Sequence, residues 1–298
     1  MTKQKMAKAK NFKVLWSLLM LLLLVALFIK RSNLFPQKPA VVQTGQAGHD
    51  DNMALGNPTN AGTADKNNYL LQKQQYALSY NNSKGIANWV SWHLSTAWQG
   101  NAGRCNCFRA DDALPAGFFK VNGSDYVRSG FDRGHMCPSD DRSAGNEDNA
   151  VTFLMTNMAP QAPWLNEKTW ERLEAYCRKL TTEGNELYII AGSYGTGGEG
   201  RNGVANTIAN GRIQVPAHFW KVILVLPVGD SDLERISSTT RVITVDMPNR
   251  QDVDTYDWWH YRCTVGDIEA ATGCDLLSAL PQDIQQQLER IKDDGPVK

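Results

Sequence analysis

Leu187-Tyr188-Ile189-Ile190-Ala191 is an unbroken apolar run, bordered by polar sequence on one side and by a glycine-rich stretch from Gly192 on the other. A run this short with such borders reads as a strand buried on both faces. Residues 219–228 and 240–245 read the same way. Residues 76–80 and 87–94 are rich in aromatic side chains and flank Asn81-Asn82-Ser83-Lys84-Gly85, which is turn sequence. The glycines across 192–203 predict a long loop, and short helical patterns begin at Val265. Strands in runs with few helices between them predict an α+β fold, its central sheet mainly antiparallel and flanked by helices.

Around this body the chain is uneven. Eight of its 31 basic residues fall within residues 1–38, which hold no acidic ones, so the rest carries 23 basic against 31 acidic residues. A net charge of −8 there counts against a storage or packaging role on nucleic acid. It counts less against an enzyme that must release its product and needs positive charge only at its site. Residues 14–29 are apolar except for Ser17, follow five lysines and precede Lys30-Arg31. This reads as a signal peptide or an N-terminal membrane-anchoring helix. No small-x-small cleavage pattern lies close behind it. The expectation is an exported body, anchored to the membrane through residues 14–29 and facing outside the cytoplasm, or secreted or periplasmic if the segment is cleaved. Residues 31–66, rich in Gln, Asn, Gly, Ala, Pro and Thr, are predicted as a flexible tether. The domain is expected to span 67–292, with 293–298 as a tail.

The best helical pattern covers residues 166–180. Trp170, Leu173, Cys177 and Leu180 recur at spacings of three, four and three and make one apolar face. At about 100° per residue, Glu174 lies about 80° and Arg178 about 120° from Asn166, so the three share one side. Asn166 stands where an N-cap would. Upstream, Asp132-Arg133-Gly134-His135 places a small residue between a guanidinium and an imidazole, which reads as a tight turn able to offer both to one phosphate. Arg104 and Arg109 lie earlier in a polar loop. Hydrolysis of a phosphodiester needs a base near neutral pH, a hard cation, arginines for the phosphate oxygens and fixed geometry. Residues 104–178 supply a candidate for each.

The stretch Phe131-Asp132-Arg133-Gly134-His135-Met136-Cys137-Pro138-Ser139-Asp140-Asp141-Arg142 resembles the active-site signature of the DNA/RNA non-specific endonuclease family, the ββα-metal nucleases, and within it the Anabaena type. The likeness continues through Thr152-Phe153-Leu154-Met155-Thr156-Asn157-Met158-Ala159-Pro160-Gln161 and through Asn166, Trp170, Leu173 and Glu174, and covers nearly all of residues 69–290. The resemblance implies a metal-dependent endonuclease acting on DNA and RNA without sequence preference and leaving 5′-phosphate ends. It implies that His135 is the general base and that Asn166 is the sole direct protein ligand of Mg²⁺ or Mn²⁺. Glu174 is implied to hold metal-bound water, and Arg104 to neutralise the phosphate in the transition state. Arg133 and Arg178 are implied to contact phosphate, and Asp132 to support the motif by hydrogen bonding. One departure is Cys137, where the Anabaena-type pattern has a small apolar residue.

The ordinary alternatives are a turn histidine, an N-cap asparagine, a solvated helix glutamate and arginines in structural ion pairs. Arg109 reads more simply as a loop-fixing residue. His93, His218 and His260 lack a partner pattern and read as structural, and Trp89, Trp92 and Trp98 as core. Six cysteines in an exported chain allow disulfides. Cys263 and Cys274 are a plausible pair, whereas Cys105 and Cys107 stand too close together for an ordinary bridge. A competing function is a catalytically silent, membrane-tethered module that binds nucleic acid. An exported lipid phosphodiesterase is weaker, because the chain lacks paired His-x-Lys motifs.

Overall fold

The computed structural model describes residues 51–297. The apolar run at 14–29 lies outside them. Among the described residues no helix is long and apolar enough to cross a membrane.

Six strands form one sheet in the order β1 (Tyr69–Gln72), β2 (Ala77–Asn81), β3 (Ile86–Leu94), β6 (Asn185–Tyr194), β11 (His218–Pro227) and β12 (Arg241–Pro248). Every neighbouring pair is antiparallel. The central strands read as continuous apolar runs because both of their faces are covered. Leu187, Ile189 and Ala191 of β6 face one core together with Phe219 and Ile223 of β11. Tyr188, Ile190, Trp220, Val222 and Leu224 face the other. The tryptophans read as core are core, with Trp89 and Trp92 fully buried and Trp98 nearly so.

The first face carries the elements that matter for chemistry. Two short strands, β4 (Asp132–His135) and β5 (Met158–Gln161), pair antiparallel, and α1 (Asn146–Val151) lies between them in sequence. A wide helical turn, Leu165–Trp170, follows and runs straight into α2 (Glu171–Thr182). Leu173, Cys177 and Leu180 pack α2 onto the sheet, as their spacing predicts. Residues 192–203 are more regular than the predicted loop. β6 extends to Tyr194, and β7 (Gly198–Gly200) pairs with β8 (Gly203–Ala205). β9 (Thr207–Ile208) pairs with β10 (Ile213–Gln214). The short α3 (Asp232–Arg235) follows β11.

The second face is covered by α4 (Val265–Thr272), α5 (Gln282–Leu288) and, unexpectedly, residues 51–66. The predicted tether is thus corrected over its described part. Ala54, Leu55 and Ala61 are buried. Asn52 accepts from the His93 backbone at 3.1 Å, and Thr59 accepts from the Trp89 indole at 2.8 Å. Side chain-to-backbone bonds hold this segment, and they leave no periodic apolar signal in the sequence. The predicted tail is corrected too. Asp293 is buried between Arg241 and Arg262, at 2.8 and 3.1 Å. Cys105 and Cys107 form a disulfide, while Cys263 and Cys274 are unpaired. Asn106 between the two adopts the left-handed conformation (φ 51°), which folds the chain back on itself and lets the close cysteines meet.

Candidate active site

Gly134 lies in a strand, not in the tight turn read from its neighbours. β4 is extended, and Gly134 stands opposite Ala159 of β5. The small residue is needed for a different reason. A Cβ at Gly134 would collide with the buried Gln161 side chain, 2.7 Å from its Cβ and closer still to its Oε1. The close approach of the two strands sets the position of the next residue, His135. Asn157 then locks the far end of the pair. Its side chain accepts from Cys137 N at 2.9 Å and donates to the carbonyls of Cys137 and Thr152 at 2.8 and 2.9 Å.

The His135 ring is 7% exposed and packs against Phe153 (4.8 Å between centroids, edge-on) and Phe108 (5.8 Å). Burial, and secondarily the Arg104 guanidinium, lower its pKa to about 3, because both disfavour a second positive charge. The imidazole is therefore neutral near pH 7. Its Nε2 is buried and has no hydrogen-bond partner among the described residues. A buried ring nitrogen without a partner is uncommon in structural histidines.

Asn166 does not cap a helix. Its backbone N–H donates to Ala162 O at 2.9 Å, an i→i−4 bond made just as the wide turn Leu165–Trp170 begins. That turn holds more residues than an α-turn, so Asn166 is rotated from where uniform 100° steps would put it. Its Nδ2 donates to Asp132 Oδ2 at 3.0 Å, which leaves the carboxamide oxygen as the free ligand atom. Glu174 on α2 is 13% exposed. Burial raises its carboxyl to about 7; the nearby Lys221 opposes the shift and Asp141 adds to it. Glu174 Oε1 is buried without a hydrogen-bond partner among the described residues, and Lys221 Nζ lies 3.6 Å away.

The arginines are held in defined poses. Arg104 donates through Nη1 to Ser139 Oγ at 2.8 Å and through Nε to Asn106 Oδ1 at 3.2 Å. Arg133 lies 4.3 Å over the Phe108 ring and donates to Gly123 O at 3.4 Å. Arg178 sits among Asp141 (3.3 Å), Asp140 (3.8 Å) and Glu171 (3.9 Å). Arg104, His135, Asn166, Glu174 and Arg178 line one cleft of about 190 Å³. A second cleft of about 370 Å³ shares Arg104 and Asn166 with the first and adds Asp132 and Arg133. All seven residues singled out in the sequence therefore border two adjoining clefts. Arg109 does not. It donates to Ala150 O at 2.7 Å and fixes the loop. His93 and His218 pair with Glu186 and Asp246, at 3.1 and 2.9 Å. Cys137 is fully buried, and burial pushes its thiol up to about 12, far from a reactive thiolate.

Sequence reading passed over Asn157, Ser139 and Lys221. Lys221 had a signal, as the one charged residue in the apolar run 219–226. Asn157 and Ser139 act through bonds that depend on tertiary contacts, so spacing did not mark them.

An imidazole, a carboxamide, an acid and arginines around one cleft mark an enzyme built for an anionic substrate. The chain belongs to the DNA/RNA non-specific endonuclease family, whose profile matches residues 51–283, and it is a nuclease. It is 46% identical over 269 residues to a nuclease of Nostoc sp., covering 89% of this chain and 94% of that one. It is 31% identical over 232 residues to nuclease C1 of Cunninghamella echinulata var. echinulata (70% and 91% of the two chains). With human mitochondrial endonuclease G it shares 30% over 210 residues (68% of each). The solved EndoG/EndoGI complex contains a chain of the same fold, with TM-score 0.64, 24% identity, and 78% and 91% of the two chains covered.

Proposed function

We propose that this nuclease hydrolyses DNA and RNA internally and without sequence preference, by water attack on phosphorus, leaving 5′-phosphate ends. The observation that carries this reading is the convergence of a neutral His135, its Nε2 unpartnered, with the free carboxamide oxygen of Asn166 in one arginine-lined cleft. The His135 imidazole takes a proton from water as the water oxygen bonds to phosphorus; the bond from phosphorus to the 3′ oxygen breaks, and that oxygen leaves as an alkoxide that takes up a proton from solvent. A phosphodiester anion in the cleft opposes the effect of Arg104 and makes the imidazole a stronger base when substrate is present. Arg104, whose Nη2 makes no hydrogen bond among the described residues, and Arg133 hold the phosphate oxygens. Asp132 keeps the Asn166 side chain oriented. Contacts to phosphate rather than to base edges account for indifference to sequence.

The donor set fits a divalent cation of the Mg²⁺ or Mn²⁺ type. Asn166 would hold it directly and Glu174 through water, since both residues line the same cleft. Such a cation neutralises charge on the phosphate and on the leaving oxygen. Export to an oxidising compartment agrees with the lysine-flanked run at 14–29 and with the Cys105–Cys107 disulfide. Fractionation of the producing cells checks this, and a cytosolic protein overturns it.

The deciding assay mixes the full chain with supercoiled plasmid and, separately, with RNA, with Mg²⁺ or with EDTA. Nicking and digestion that EDTA abolishes are expected. Plasmid that is retarded on a gel but stays covalently closed would favour the silent binding module.

A further inference from the structure

We propose that Lys221 is the positioning residue that holds the Glu174 carboxylate at the cation cleft. This rests on the reading above, in which Glu174 belongs to the cation site. Lys221 sits in the middle of β11, paired with Ala191 of β6 and Val245 of β12. Alternation along the strand puts its side chain on the face of Phe219 and Ile223, the face that α2 covers. It is 1% exposed.

An ammonium in that position is costly unless its charge is answered. Its Nζ lies 4.3 Å from the Trp170 ring and 5.4 Å from Trp92, so two aromatic faces stabilise it in place. Among the described residues the one carboxylate within ion-pair reach is Glu174, at 3.6 Å. Glu174 feels Arg178 only at longer range, and among the described residues it makes no ion pair with an arginine. Arg178, one helical turn further along α2, is turned toward Asp141, Asp140 and Glu171. Lys221 is therefore what answers the Glu174 charge from beneath, on the rigid centre of the sheet, while the carboxylate borders the cleft above.

A leucine or methionine would pack this strand position at lower cost. Replacing a buried ion pair with apolar groups is often neutral for stability. The lysine therefore serves the site more than the fold. Removing a residue that orients a ligand typically weakens metal affinity about 10–100-fold.

The test uses the full chain without nucleic acid and measures Mn²⁺ binding by calorimetry for wild type, Lys221→Met, Glu174→Gln and the double variant. Lys221→Met is expected to melt close to wild type and to bind Mn²⁺ at least about tenfold more weakly. The double variant is expected to bind no more weakly than Glu174→Gln alone, because Lys221 acts only through that carboxylate. Plasmid cleavage by Lys221→Met is expected to recover in part at raised Mn²⁺. Unchanged Mn²⁺ affinity in Lys221→Met, with weakened binding in Glu174→Gln, overturns the role of Lys221. Unchanged affinity in Glu174→Gln overturns instead the reading of Glu174. If Lys221→Met alone does not fold, the double variant, which removes both charges, decides. Binding weaker there than in Glu174→Gln overturns the proposal, and equal binding supports it.

Discussion

Gly134→Ala tests whether the close approach of β4 and β5 sets the base. The new Cβ would meet Gln161, 2.7 Å from its Cβ and 3.0 Å from its Cδ. The end of a flexible side chain can yield, but Gln161 is fully buried and its Cβ is fixed to the strand. The strands must therefore part. Overpacking of this kind costs about 1–3 kcal/mol. For a domain of this size each kcal/mol lowers the melting temperature by about 2–4 °C, so a fall of about 2–12 °C is expected. His135 is the next residue, and a displacement of about 1 Å there costs about 100-fold in rate. Calorimetry and plasmid digestion read both effects. Gln161→Ala in the same chain removes Oε1 and Cδ but leaves Cβ, so it should recover part of each loss, with a coupling of about 0.5–3 kcal/mol. A Gly134→Ala protein with wild-type melting and rate, or a double variant whose losses simply add, would refute the reasoning.

Other perturbations separate the parts of the site. In EDTA, the raised Glu174 carboxyl (about 7 in the fold) and the lowered His135 imidazole (about 3) act oppositely on stability. Glu174 contributes stability below its unfolded pKa that is lost as pH rises through 7; His135 contributes stability above its unfolded pKa that is lost as pH falls toward 3. Between about pH 4.5 and 6.5 the two cancel. Glu174→Gln should expose the histidine as a loss of about 1.4 kcal/mol per pH unit on acidification across that window, and a flat profile in urea titrations would count against it. Asn157→Ala strands the buried Cys137 N–H and should cost about 3 kcal/mol, read by chemical denaturation; a cost under about 1 kcal/mol would show that Asn157 does not lock the strand pair. Arg104→Lys loses the planar fork and should lower kcat/KM about 10–100-fold while melting as wild type does. Unchanged kinetics would remove Arg104 from the phosphate contact.

The sheet was legible because its inner strands are covered on both faces, so 187–191 and 219–228 carry unbroken apolar sequence. The helix face at Trp170, Leu173, Cys177 and Leu180 was legible for the matching reason, a period that packing on one side imposes. Residues 51–66 and 293–297 were misread, since asparagine, threonine and arginine–aspartate bonds hold them and hydrogen bonding has no period. Asn166 was placed on the right element but in the wrong local geometry, because a widened turn has no signature in residue spacing. Gly134 shows the same limit. Its smallness was evident, but whether it served a turn or a close approach depended on Gln161, 27 positions away. The disulfide turned on one left-handed residue, Asn106, which pairing rules for cysteines do not weigh. The candidate residues themselves stood out because imidazole, carboxamide, carboxylate and guanidinium groups recur in fixed order within 75 residues.

His135→Ala is the most direct trial of the central claim, that a neutral, buried imidazole takes the proton from the attacking water. Initial rates of plasmid cleavage in saturating Mg²⁺ should fall at least about 10²–10⁴-fold, with circular dichroism and melting unchanged. Mn²⁺ binding should persist, because the carboxamide and carboxylate that hold the cation remain. A folded His135→Ala protein that cuts plasmid at near wild-type rate would contradict the account.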